Sequence, residues 1–300
     1  MAGLIRRFGT GYLPTTVLDA GGGQYVWIRR PGPDRTTIDR PGDALRATIA
    51  GLPGLAVPEP DAEWAGPDAV VYRVGGQSSV AAALLAEAAT AQTIDVAAIL
   101  RDTAATLSAL HHRAAPATER LPAPPGPVRL LAWLRSGTGS RSAARLHGHA
   151  NAVLGHRRIT TAIDWCADLM AGDTLLHGAP GTGVLVPDGS GPALLLTGED
   201  LSRGPVEADL GWLVGELVEH RETRHRPDFD DLVAAFLGGC RSDVDGARVG
   251  RAAALRYLTH THDFAAYVGW HDELLTSLRT LAGVLDDAGR GALLPEVSRR

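Results

Sequence analysis

Side chains able to do chemistry gather in three stretches of this sequence. The first is Asp173-Thr-Leu-Leu-His177-Gly178-Ala179-Pro180-Gly181-Thr182-Gly183-Val184-Leu185-Val186, followed by Ala193-Leu-Leu-Leu-Thr197-Gly198-Glu199-Asp200-Leu-Ser-Arg-Gly204-Pro205-Val-Glu-Ala-Asp209-Leu210. It places an imidazole, His177, and two carboxylates, Glu199 and Asp200, just after short apolar runs, where loops anchored on rigid elements carry function. The second comprises the histidines His147-x-His149 with His156, and His260-x-His262-Asp263. No Cys or acid stands near the first group, and neither spacing matches a strong zinc pattern, so both are read as surface histidines and no metal site is expected. The third stretch is electrostatic. Between Arg120 and Ile163 there is no acidic residue, while Arg120, Arg129, Arg135, Arg141, Arg145, Arg157 and Arg158 give it +7; the whole chain is −5, which leaves −12 elsewhere. Such a segment can attract an acidic peptide or a phosphate. Equally, its arginines can scatter around a helix pair and meet carboxylates from other parts of the chain. Trp133 is its only aromatic residue, which argues against nucleic-acid binding.

Several chemistries are excluded. All 29 basic residues are arginine, so no mechanism can use a lysine amine, and Asn151 is the sole asparagine. Gly181-x-Gly183 lacks the lysine of a phosphate-binding loop. There is no Gly-x-Ser-x-Gly elbow and no His-Glu-x-x-His. Cys166 sits in a helical pattern between Trp165 and Ala167, and with Cys240 it makes no disulfide framework; two buried thiols are expected. The Ala, Gly, Pro and Arg bias suits a GC-rich bacterial genome. No apolar run is long enough to span a bilayer, and none follows the N-terminal arginines at signal-peptide length, so a cytoplasmic protein without membrane contact is expected.

The elements that must position these groups fall into two lobes. Residues 1–76 read as β-rich: strands over Leu4–Phe8, Thr15–Ala20 and Gln24–Arg29, a helix over Asp43–Leu52 broken by Val57-Pro58-Glu59-Pro60, and a strand over Ala69–Val74 ending at Gly75-Gly76. Residues 77–300 read as mainly helical. Helical spacing marks Ser79–Ala91, Val96–His112, Ile159–Ala171, Asp209–His220, Asp230–Leu237, Ala247–Asp263 and Asp272–Asp287. Leu100, Ala104, Leu107 and Leu110 share one face. Ala114–Val128 is read as a linker, Leu175–Val186 and Ala193–Leu196 as short strands around turns.

The His177 stretch and its continuation resemble the aminoglycoside phosphotransferase and choline kinase-like family. The family pattern is an apolar strand, His-Gly-Asp, a short loop to Asn, a second strand ending in a metal-binding Asp, a Gly-Pro turn and an Asp-Leu pair opening a helix. The order of the other elements is similar too, including Leu107-Ser-Ala-Leu-His111 as its Leu-x-x-Leu-His helix end. The resemblance implies a protein kinase-like, two-lobed α+β fold, with a small β-rich N-lobe and a larger helical C-lobe.

Phosphoryl transfer needs a carboxylate at the acceptor hydroxyl, oxygen ligands for Mg²⁺ and a cation on the phosphates. By the resemblance, the catalytic Asp falls on Ala179, the magnesium-binding Asn on Gly183 with the loop one residue short, and the second metal ligand on Thr197. The phosphate-holding lysine falls at Arg29 or Arg30, with Asp43 as its partner acid, and arginine changes the geometry there. His177 and Asp209 are retained, His177 as a loop support and Asp209 as a helix cap and loop brace. Asp200 and Glu199 are the acids placed to substitute for the missing metal ligand.

The resemblance therefore implies a pseudokinase used for binding or scaffolding, with no cofactor expected. Degenerate relatives stand beside peptide-modifying enzymes in actinobacterial natural-product pathways, including lanthipeptide-type ones. The implied partner is a peptide or protein, such as an acidic leader peptide or a biosynthetic enzyme, held on Arg135, Arg141, Arg145, Arg157 and Arg158. Two alternatives stay open: an atypical phosphotransferase using ATP and Mg²⁺ on a peptide or small-molecule hydroxyl, and an antibiotic-binding protein with a deep acidic pocket in the helical lobe.

Overall fold

The computed structural model describes residues 3–287 except 39, 61–64, 67, 87–93, 118–119, 189–191, 225–227 and 242. The chain opens with β1 (Gly3–Phe8), β2 (Thr15–Gly21) and β3 (Gln24–Arg29), then α1 (Asp43–Ala50), β4 (Leu55–Ala56) and β5 (Val70–Val74). Strands β1, β2, β3 and β5 form one antiparallel sheet in that order. Alternation along β3 puts Trp27 and Arg29 on one face with Val17 and Tyr72, toward the second lobe, and Val26 and Ile28 on the other with Val71.

Helices dominate from residue 80: α2 (Val80–Leu85), α3 (Val96–His111), α4 (Pro125–Ser136) and α5 (Ala143–Leu169). Ser79 and Asp95 cap α2 and α3 by accepting the amides of Ala82 and Ala98. The predicted face of α3, Leu100, Ala104, Leu107 and Leu110, is fully buried. The expected helix over Ser79–Ala91 ends at Leu85, and residues 87–91 lie outside the described part of the chain.

Two departures concern the arginine-rich segment. The expected linker Ala114–Val128 turns into α4 at Pro125, since proline fits a first helical turn, where its missing N–H has no partner to lose. Helix α5 begins sixteen residues before Ile159, at Ala143. Its His, Arg and Gly content masks a buried stripe of Leu146, Ala150 and Leu154, and Gly155 (φ 70°, ψ 167°) kinks it.

A set of short strands follows: β6 (Thr174–Leu176), a 3₁₀ turn at Thr182–Val184, β7 (Leu185–Val186), β8 (Leu194–Leu196) and β9 (Ser202–Gly204). β6 pairs with β9; β8 pairs with β7 on one side and, in parallel, with β4 on the other. Pairing between β4 and β8 stitches the two lobes. The remaining helices are α6 (Val206–Arg224), α7 (Phe229–Gly238), α8 (Gly246–Tyr267) and α9 (Glu273–Asp286). α6 and α8 pack closely because Gly211 faces α8: a Cβ there would lie 2.2 Å from that of Ala252. Among the described residues no helix is long and apolar enough to cross a membrane.

The helical lobe has one continuous core. A second cluster joins the lobes: Val17, Trp27, Tyr72 and Val74 from the sheet meet Val186 and Leu196 from the β7–β8 hairpin.

Candidate functional site

β6 carries the chain to His177 at the junction of the lobes, with Leu175 and Leu176 buried beneath it. The loop that follows is held from below by Asp209. Its carboxylate accepts the amides of His177 and Gly178, both at 2.8 Å, and its Oδ2 lies 2.9 Å from His111 Nε2. These bonds go to the loop and to α3, so Asp209 braces the loop instead of capping its own helix. His177 Nε2 is 2.9 Å from the carbonyl of Leu196. A carbonyl only accepts, so Nε2 carries the proton and Nδ1 is the acceptor, which faces the Ala179 amide at 3.4 Å. Both ring nitrogens are thus engaged with backbone, the contacts of a loop support. Gly178 must be glycine: its φ is +90°, and a Cβ would fall 1.8 Å from the Asp200 carbonyl.

Glu216 also supports this loop. It accepts the Thr182 amide at 3.2 Å and the Thr182 hydroxyl. Glu216 stands two helical turns after Asp209 on α6, so both carboxylates face the loop. That spacing was the signal available in the sequence, and sequence reasoning missed it.

At the end of β8, Thr197 is fully buried and its hydroxyl donates to Leu195 O at 2.9 Å. Glu199 is buried against the sheet, ion-paired with Arg29 through one oxygen and accepting the Tyr72 hydroxyl through the other. Burial raises the Tyr72 pKa well above that of a free phenol, and the Glu199 charge adds to it. Asp200 is ion-paired with Arg35 at 3.0 Å, and the same guanidinium donates to Glu199 O. Arg30 donates instead to Ala65 O at 3.1 and 2.7 Å. Asp43 does not reach Arg29: it is almost fully exposed and pairs with Arg46 at 2.6 Å. The acid facing the β3 cation therefore comes from the loop after β8, not from α1.

The loop between β1 and β2 closes over this region. Tyr12 stacks on Tyr267 of α8 with ring centres 5.1 Å apart. Arg129 lies 4.5 Å from the Tyr12 ring, donates to its hydroxyl at 3.1 Å, and donates to Asp263 at 2.8 Å. Burial opposes the charges of this pair, but their mutual attraction outweighs it: Arg129 is raised above its usual value and Asp263 is lowered to about 2. A cavity of about 220 Å³ remains beneath, lined by Tyr12, Arg29, His177, Ala179, Glu199 and Trp212 among others. Deeper in the interlobe core, the Trp27 indole N–H donates to Gly76 O at 2.8 Å, on the segment joining the lobes.

The arrangement fits Mg²⁺ poorly, because that ion is held through one or two free carboxylates, with waters and phosphate oxygens completing its shell. Ala179 and Gly183 offer no side-chain oxygen, Thr197 is turned to backbone, and Glu199 and Asp200 are each committed to an arginine. Among the described residues no group of three His, Cys, Asp or Glu could hold a metal.

The arginine segment is largely met from within the chain. Arg129 pairs with Asp263, Arg141 with Asp34 at 2.7 Å, and both Arg157 and Arg158 with Asp286, at 2.6 and 2.5 Å. Arg145 lies 3.6 Å over the Trp270 ring. Arg120 and Arg135 are exposed. Of the histidines expected at the surface, His262 is instead buried, bound to Asp263 at 2.9 Å and packed on Trp133; His260 is bound to Glu219. Cys166 is buried and Cys240 half-buried, and burial pushes their thiols up to about 12 and 11. A separate cavity of about 630 Å³ opens between α6, α8 and α9, with Glu219, Glu222 and Glu273 among its lining residues.

No protein-family model matches the sequence, and no curated protein matches it. Solved structures do match in fold. Spectinomycin phosphotransferase APH(9)-Ia, in complex with ADP and spectinomycin, superposes with a TM-score of 0.56 at 11% identity, over 96% of this chain and 92% of its own. A choline/ethanolamine kinase family protein from Mesorhizobium loti gives 0.54 at 17% identity, over 99% and 90%. Amicoumacin kinase hAmiN, in complex with AMP-PNP, Ca²⁺ and Ami, gives 0.55 at 12% identity, over 97% and 89%. The chain has the protein kinase-like fold of aminoglycoside phosphotransferases and choline kinases, with a small antiparallel-sheet lobe and a larger helical one.

Proposed function

We propose that this kinase-like protein is catalytically degenerate and serves as a binding or scaffold component. The observation that carries the reading is the fate of the two acids after β8. Glu199 and Asp200, the carboxylates placed to replace the missing metal ligand, are held by Arg29 and Arg35 of the small lobe. The cation expected on phosphates is thus neutralised in place, and Ala179, Gly183 and Thr197 supply none of the groups phosphoryl transfer uses. Trp27 fills the core between the lobes. The partner we infer is a peptide or protein, such as an acidic leader peptide or an enzyme of natural-product, lanthipeptide-type, biosynthesis.

Calorimetric titration with ATP, with and without Mg²⁺, tests the reading. The expected result is no heat of binding and no thermal shift in either case. Magnesium-dependent binding would overturn it in favour of an atypical phosphotransferase.

A second reading, an antibiotic-binding protein, draws support from the 630 Å³ cavity, a size suited to a small molecule, whose lining combines Glu222 and Glu273 with His260 and His271. Its test is a thermal-shift panel of cationic antibiotics. Stabilisation by one of them that Glu222→Gln and Glu273→Gln abolish supports this reading; no stabilisation removes it.

A further inference from the structure

We propose that the outer edge of β1 is a docking site for an extended acidic peptide, which adds to the sheet as a fifth strand. β1 ends the sheet: β2 pairs with one of its edges, and among the described residues no strand pairs with the other. An edge strand presents unpaired N–H and C=O groups to solvent, and proteins ordinarily keep such edges short, charged or covered. This one is six residues long and carries exposed apolar side chains on both sides of its two arginines. Leu4 (57% exposed), Ile5 (42%) and Phe8 (38%) are half of the large hydrophobic side chains exposed among the described residues. An open ladder beside exposed apolar groups is what peptide recognition by strand addition uses: backbone bonds give affinity, alternate side chains give specificity.

The register says which side chains would read the partner. A bulge at Ile5 shifts the pairing from Leu4 opposite Leu18 to Arg6 opposite Val17. Leu4 and Arg7 therefore share the sheet face of Leu18, Val26 and Ile28, while Arg6 and Phe8 share the face of Trp27. Arg6 is held by the Gln77 carbonyl and, at 2.8 Å, by the Ser78 hydroxyl. Arg7 is exposed and in no ion pair among the described residues. A strand laid along this edge would meet an apolar contact at Leu4 and a free cation at Arg7 on one face. Its matching pattern is an apolar side chain and a carboxylate on that face.

The same charge selects against a second copy of this chain. Self-pairing of β1 would bring Arg6 and Arg7 of both strands together, and like charges across a ladder destabilise it. An acidic strand gains from the charge that repels a copy. The inference rests on the reading of the chain as a binding component for a peptide, but moves that peptide from the arginine segment, whose charges are mostly paired, to β1.

The test uses the whole protein without nucleotide and a fluorescein-labelled ten-residue peptide, Thr-Val-Thr-Glu-Thr-Val-Thr-Glu-Thr-Val, which sets valine and glutamate on the same face, followed by anisotropy. Binding is expected, weakened about tenfold by Arg7→Glu, as befits loss of one cross-strand charge contact and gain of a repulsion. A backbone N-methylated version of the peptide should lose at least as much, because it cannot form the ladder. Arg157→Glu with Arg158→Glu should leave binding unchanged. Arg7→Glu sits on an exposed position, and an unchanged melting temperature confirms that it folds; Leu4→Lys gives a second, independent loss. No binding by the probe, equal binding by its lysine counterpart, or insensitivity to Arg7→Glu would overturn the proposal. So would sedimentation showing a dimer that Arg7→Glu dissociates, which would give the edge to a second copy. Binding of ATP and Mg²⁺ in the separate titration would remove the degenerate reading of the cleft and leave this result intact.

Discussion

Arg29 of β3 and Glu199 after β8 form a buried ion pair across the junction of the lobes, with Tyr72 donating to the second carboxylate oxygen. Their side chains retain only 12% and 4% of their exposure. A charge so buried depends on its partner, and removing one member strands the other. Glu199→Ala is expected to lower stability by about 3–5 kcal/mol, read as a fall in the urea midpoint. Replacing both residues in a Tyr72→Phe background, by Arg29→Met with Glu199→Leu, should recover more than half of that loss, because an apolar pair carries no desolvation cost and no hydroxyl is left without its acceptor. A double variant no more stable than the single one would show that the pair is not coupled.

Asp209 makes a different demand, because three donors converge on one carboxylate. Asp209→Asn keeps the shape but offers one acceptor oxygen, and turns its NH₂ toward a donor. The expected cost is about 2–4 kcal/mol, from a lost charge-assisted bond and a buried donor left facing another. Hydrogen exchange localises the effect: the His177 and Gly178 amides should exchange faster in the variant, while those of α9 follow global stability alone.

The sequence carried the sheet strands and the helices with apolar spacing, because alternation and a stripe such as Leu100, Ala104, Leu107 and Leu110 are local signals. It did not show α4, whose start lies behind a run of prolines, or the first half of α5, whose buried leucines are diluted by His, Arg and Gly. The His177 and Asp209 loop was legible through its motif. The partners of Arg29 and Asp200 were not. Glu199 stands 170 residues from Arg29, and Asp200 stands 165 from Arg35, so only the stacking of the two lobes brings them together. Nor did the composition reveal that Asp34, Asp263 and Asp286 reach into the arginine segment. Net charge along a chain says nothing about which distant carboxylates fold against it.

Acid should weaken the pair between Arg129 and Asp263, on which Tyr12 of the small lobe rests. Asp263 is held at about 2, below the ordinary carboxylate range of about 4 in the unfolded chain. A lowered folded-state pKa means the native state binds fewer protons. Its contribution is therefore full above pH 4 to 5, and is lost as pH falls toward 2. The shift corresponds to roughly 2 kcal/mol of stability. In Asp263→Asn the melting temperature should fall at neutral pH, and the drop between about pH 5 and pH 2 should be shallower than in the native protein. A chemical-shift probe on Tyr12, which Arg129 contacts, follows the same transition.

Trp27 gives the sharpest separation of packing from hydrogen bonding. Its ring is 1% exposed in the cluster that joins the lobes, and its N–H meets the Gly76 carbonyl. Trp27→Phe keeps much of the apolar bulk but leaves that buried carbonyl without its donor, at about 1–3 kcal/mol. Trp27→Ala adds a cavity, for a total near 3–5 kcal/mol. A cavity lined by Val17, Tyr72, Val74 and Leu196 is apolar except for the one acceptor, and apolar cavities of that kind take up small aromatic molecules. Added indole should therefore raise the melting temperature of Trp27→Ala, while benzene, which fills but cannot donate, should raise it less. Neither should move the native protein, whose slot its own indole fills. Equal rescue by indole and benzene would show that the bond to Gly76 contributes nothing to holding the lobes together.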